Sequence, residues 1–205
     1  MTRRLVLLLC AVLCAGVPLL AADGGMTPDE RAYLLEQLEN SKKNMLASIQ
    51  GVSAAQWSFK PAPNVWSVQE CAEHIILAES FIFGGAQQIL KTQAVARPAG
   101  SNAEADHRLV ERLQDRSQKA TAPEPIVPSG KFATPEDAAR EFTARRDKTI
   151  EYVKNTSDEL RFHVGRGPAG PMDAYQFLLL LAAHSSRHTA QIREVQANAD
   201  YPKKP

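Results

Sequence analysis

Apolar residues recur at helical spacing in four long stretches of this chain, and three of those stretches open with recognisable start signals. Thr27-Pro28-Asp29-Glu30 supplies an N-cap, a proline at the first helical position and a capping-box glutamate. Leu34, Leu38, Met45 and Ile49, joined by Leu35 and Leu46, then form one stripe that stops at Gly51. Ser67-Val68-Gln69-Glu70 is a second capping box, leading into Cys71, Ile75, Ala78 and Ile82 with Ala72, Ile76 and Phe83 beside them. Thr134-Pro135-Glu136-Asp137 opens a third stretch carrying Ala138, Phe142, Ile150 and Val153. A fourth follows "GPAGPMD" and runs from about Ala174 to about Ala197. The pattern predicts helices near 28–49, 68–91, 135–155 and 172–197.

Between the second and third stretches lies a long connection, roughly 92–133, with Pro98, Pro123, Pro125 and Pro128. It is expected to lie outside the bundle and to hold a short polar helix around 103–119. "WSFKPAPNVW", between the first two stretches, is proline-broken and aromatic, so an ordered loop is expected, with Trp57 and Trp66 as packing anchors. No run of alternating β-branched residues stands out, although "FHVG" at 162–165 reads as a brief extended piece. The expected fold class is all-α: a four-helix bundle with a long crossover between helices two and three.

Composition changes this picture little. Charged residues make up 23 % and apolar ones 44 % of 205 residues, which fits one globular domain. The formal net charge of +1 gives no basic footprint for nucleic acid. The start of the chain adds more. Arg3-Arg4, an apolar run from Leu5 to Leu20 and small residues at Ala21-Ala22 describe a secretory signal over 1–22, with the mature domain at 23–205. An uncleaved anchor is the alternative, and no other membrane segment is expected. Export to the periplasm or exterior follows from this signal. Cys10 and Cys14 fall inside it, so Cys71 stands alone in the mature chain and reads as a buried, inert thiol.

The chemistry sits in "LLLLAAHSSRHTAQIREV". His184 and His188, four apart on a helix, share one face and can chelate one ion. His74 lies on the inward side of the second stretch, and bundle cores bring such ligands together from facing helices. On spacing alone, His74 could equally be a hydrogen-bonded core histidine and the pair one buried and one surface imidazole. His107 and His163 fall in polar surroundings and read as solvated side chains, and Arg187, about 100° away from His188, as a surface residue.

The segments "WSFKPAPNVWSVQECAEHIILAE" (57–79) and "GPAGPMDAYQFLLLLAAHSSRHTAQIREV" (167–195) resemble the DinB-like superfamily, and the likeness extends over about 28–197. The resemblance implies a four-helix bundle with its long crossover between helices two and three. It also implies three histidine ligands, one early in the second helix and two four apart in the fourth. His74, His184 and His188 match those places. Glu70, one turn before His74, and Gln191, three beyond His188, are candidates to hold the second ring nitrogens, although the Ser67 capping box also accounts for Glu70.

Three imidazoles favour one divalent transition metal, zinc or nickel first and iron or manganese next, over magnesium or calcium. Relatives in the superfamily include thiol-dependent transferases and isomerases. A metal-dependent transferase or hydrolase acting on a small molecule is therefore one expectation. A non-catalytic metal binder or a purely structural bundle is the other. Nothing in the pattern decides between a monomer and a homodimer.

Overall fold

In the structure, a computed structural model, residues 25–97, 100, 102–117 and 121–203 are described. The expected signal at 1–22 lies outside them. Six helices and one hairpin follow in chain order: α1 (Pro28–Ile49), α2 (Ala54–Ser58), α3 (Val68–Ile89), α4 (Ala103–Gln114), α5 (Pro135–Asn155), β1 (Val164–Gly167), β2 (Gly170–Asp173) and α6 (Ala174–Gln196).

The long helices start where the sequence supplies acceptors for their first amides. Thr27 with Glu30 and Ser67 with Glu70 close reciprocal capping boxes, as does Asp173 with Gln176 at α6. Helices α1, α3, α5 and α6 form the bundle, α1 and α3 each packing against both α5 and α6. The core falls into two apolar clusters. One is built around Leu34, Leu38, Ala78, Ile82, Ile150, Val153 and Leu178–Leu181; the other around Met45, Ile49, Trp57, Cys71, Ile75, Phe142, Ile192 and Val195.

A belt of buried polar residues separates them, one from each bundle helix: Ser41, Glu79, Arg146 and Ser185. Arg146 is fully buried and donates to both oxygens of Glu79, to the Leu38 carbonyl, and to the hydroxyls of Ser41 and Ser185. Its five N–H groups are thereby all engaged. A second buried cation, Arg161, ties four places together. It reaches Glu30 on α1, Asp106 on α4 and Asp173 at the start of α6, and lies 3.7 Å over the Tyr175 ring.

Two expectations need correction. The crossover is not outside the bundle. Helix α4 ends at Gln114 and packs on α6, burying Asp106, Leu109 and Val110. Leu109, Val110 and Leu113 make it amphipathic, and Asp106 is drawn in by Arg161. The extended piece lies two residues further along the chain than expected, at Val164–Gly167, and has a partner. Val164 to Gly167 pairs antiparallel with Gly170 to Asp173. "GPMD" gives no strand signal, although Gly170 opens it with a φ of +100°; in β1 a close approach demands glycine, since a Cβ on Gly165 would stand 2.5 Å from Ile89 Cγ1. No helix among the described residues is long and apolar enough to cross a membrane.

Candidate metal centre

His74 reaches the site from the second turn of α3, and His184 and His188 from successive turns of α6, the helix packed against α3. One ring nitrogen from each lies within 4.8 Å of the others. The ring centroids are 4.3 Å apart for His74 and His188, 4.5 Å for His184 and His188, and 4.8 Å for His74 and His184. Trp66 forms a wall, its ring 4.8 Å from that of His74 and 6.1 Å from that of His188. The proline loop that presents Trp66 is fastened through Trp57 Nε1 and Gln69 Nε2, which both donate to the Phe132 carbonyl.

Hydrogen-bond partners decide which nitrogen each ring offers. His74 Nδ1 lies 2.7 Å from the Ile126 carbonyl, which can only accept, so the proton is on Nδ1 and the lone pair on Nε2. His188 Nδ1 lies 2.8 Å from Gln191 Oε1, which likewise leaves Nε2 as its lone-pair nitrogen. His184 Nε2 stands 3.1 Å from His74 Nε2, while its buried Nδ1 has no partner among the described residues. Two nitrogens bound to one ion at about 2.0–2.1 Å would lie about 2.9–3.4 Å apart. The His74–His184 separation falls inside that span.

Burial keeps these imidazoles neutral, as metal ligands must be. It lowers the pKa of His74 despite the opposing bond to Ile126. It pushes His184 well below the usual value, with the positive fields of His188 and His74 adding to the effect. His188 falls to about 3, again mainly through burial and then through His74. Arg187, expected at the surface, is half-buried and contributes to the lowering in both α6 histidines.

The expected outer partners divide. Gln191 lies on His188. Glu70 does not reach His74: one oxygen accepts from the Ser67 amide and the other from Lys60 Nζ, so the capping box and an ion pair account for it. The Ile126 carbonyl, on a 3-10 turn of the crossover, takes the place expected for Glu70. No side-chain pattern marks a backbone acceptor, which is why sequence reasoning missed it.

The neighbouring Glu73 is also occupied. It accepts from the amides of Ser129, Gly130 and Lys131 and from the Ser129 hydroxyl, and so pins the crossover to α3 beside the site. Cys71 is buried, with its thiol pushed up to about 12, mainly by desolvation. His163 bonds the Thr92 carbonyl and His107 stacks on Tyr33, both away from the cluster.

Among curated proteins, the chain is 24 % identical to the uncharacterized protein YuaE of Bacillus subtilis (strain 168) over 149 residues, covering 72 % of this chain and 88 % of that one. No solved structure matches significantly. The sequence model of the DinB superfamily matches residues 37–192, a span that contains all three histidines and both helices that carry them. The chain belongs to the DinB superfamily.

Proposed function

We propose that this protein holds one divalent transition metal through Nε2 of His74, His184 and His188 and uses it to bind and activate a small molecule. The observation that carries the reading is the convergence of three neutral imidazoles, two of which have their other nitrogen already held by an acceptor. The donor set fits a borderline ion, with zinc or nickel favoured and iron or manganese next. Three protein ligands leave coordination open to an outside molecule, the pattern of reactive rather than structural sites. When bound, such an ion supplies Lewis acidity, which makes a thiol or water a nucleophile near neutral pH.

The chain's own residues bear on which nucleophile that is. Cys71 is buried and its thiol is held protonated, so an attacking sulfur would come from a small-molecule thiol. Glu70, Glu73 and Glu79, the carboxylates nearest in sequence to His74, are committed to the Ser67 cap, the 129–131 loop and Arg146. None of them is left to serve as a general base. Either nucleophile, a small-molecule thiol or water, would therefore owe its activation to the ion rather than to these carboxylates. We further propose that the signal over 1–22 exports the protein, so that the site works outside the cytoplasm.

Metal analysis of tag-free protein is the test. About one equivalent should be found in the wild type and in His163→Ala, and none in His184→Ala or His188→Ala. Full metal content in both of the latter would overturn the reading. Recovery of the intact chain wholly in the cytoplasm would overturn the localisation.

A further inference from the structure

The crossover touches the histidine cluster a second time, through a residue that no motif marks. Arg116 follows the C-cap of α4 in a short turn, where Asp115 accepts from the Ser117 amide and hydroxyl at 2.8 and 2.7 Å. Its guanidinium is fixed by a two-pronged pair with Glu194, at 2.6 and 2.7 Å. From there Nη1 donates to Gln191 Oε1 at 3.3 Å, the same oxygen that accepts from His188 Nδ1 at 2.8 Å. His188, Gln191 and Glu194 are spaced three apart on α6, so one guanidinium can span the ridge they form.

This arrangement has a chemical consequence. A glutamine amide can present either its oxygen or its NH₂ to a neighbour, and an imidazole can carry its proton on either nitrogen. His188 and Gln191 alone could therefore pair in two ways: Nδ1–H to oxygen, or NH₂ to a bare Nδ1. The second would put the proton on Nε2 and remove the lone pair that the cluster needs. A guanidinium can only donate, so it tolerates only the oxygen of Gln191 on its side. We propose that Arg116 is a positioning residue for the three-histidine site: it holds the Gln191 oxygen toward His188 and thereby sets His188 as the tautomer whose Nε2 bears the lone pair. Ile126, whose carbonyl has no alternative orientation, does the same for His74 from the same crossover.

The proposal rests on the metal reading for its effect on affinity, but the tautomer can be read without any metal. Long-range proton–nitrogen NMR of the metal-free protein should show His188 protonated at Nδ1 in the wild type. Arg116→Met should give a mixture of both tautomers with the amide spectrum of the fold retained. The second arm measures zinc affinity by chelator competition in a double-mutant cycle with Gln191→Glu, whose carboxylate has no donor end to turn. Arg116→Met should weaken zinc binding about tenfold with Gln191 present, the low end for loss of an outer partner. In the Gln191→Glu background the same substitution should change it less than twofold.

Wild-type His188 protonated at Nε2 would overturn the proposal, as would an unchanged tautomer in Arg116→Met. An equal loss of affinity in both backgrounds would also overturn it, because Arg116 would then act only through charge or by docking the crossover. A wild type that binds no zinc would instead refute the metal reading, leaving the tautomer result to decide the role of Arg116.

Discussion

Two polar regions lie side by side in the bundle, and they are built on opposite plans. The belt of Arg146, Glu79, Ser41 and Ser185 closes on itself: every guanidinium N–H has an acceptor, and both Glu79 oxygens are used. The histidine cluster, with His184 next in sequence to Ser185, instead brings one ring nitrogen from each histidine within 4.8 Å of the others, the Nε2 atoms of His74 and His184 standing 3.1 Å apart. A closed buried network holds helices in register. A buried site with convergent acceptors is incomplete without a ligand, since unpaired buried polar groups cost about 1–3 kcal/mol each. The difference separates structural polarity from polarity that is available for binding.

The largest way to break this contrast is to open the closed region. Glu79→Ala leaves the Arg146 charge buried without its carboxylate and should lower stability by about 3–5 kcal/mol in urea denaturation. The double substitution Arg146→Met with Glu79→Leu should lose less than the single, because no orphaned charge remains. A single variant as stable as the wild type would mean that the belt does not hold the bundle.

The cluster should respond to acid in the way that the neutrality of its imidazoles requires. Their pKa values are lowered in the fold, to about 3 for His188, against about 6.5 in an unfolded chain. Between those values the unfolded chain binds more protons than the native one, so protonation favours unfolding. The histidine contribution to metal-free stability is thus complete above about pH 6.5 and is lost as pH falls toward 3. Comparing denaturation midpoints at pH 7 and 5.5 keeps most carboxylates out of the window. The wild type should lose stability there, and a variant with all three histidines replaced by alanine should lose clearly less. Equal losses would show that the imidazoles are not what the acid reaches.

The helices were legible because apolar spacing and capping boxes are local signals. The starts at Pro28, Val68 and Pro135 come directly from Thr27, Ser67 and Thr134. The α6 pair was legible because four-residue spacing puts His184 and His188 on one helix face, whereas joining His74 to them as a three-ligand set came from the resemblance to the DinB-like superfamily and not from spacing. What sequence could not supply was the far side of each bond. Ile126 offers a backbone carbonyl, and Arg116 reaches across 75 residues to Gln191 from a turn without pattern. Both belong to a crossover that was expected outside the bundle. The docking of α4 depends on Asp106 meeting Arg161, a pairing 55 positions apart that periodicity does not report.

The smallest expected effect sharpens the comparison most finely, because it concerns a carboxylate for which sequence allowed both the cluster and the Ser67 cap, and which the structure places in the cap. Glu70→Gln keeps the capping box, since glutamine serves at the third helical position as glutamate does. It removes only the ion pair with Lys60, whose two side chains are 38 % and 26 % exposed, so screening should hold the cost within about 0.5 kcal/mol. Because both Glu70 oxygens point to Ser67 and Lys60, zinc affinity should stay within about twofold of the wild type. A carboxylate that oriented His74 would behave differently: its loss would cost about 10–100-fold in affinity. Chelator competition on Glu70→Gln therefore separates the two assignments. A tenfold loss would return Glu70 to the cluster and displace the Ile126 carbonyl as the group that sets His74, whereas unchanged affinity would leave that role to the crossover backbone.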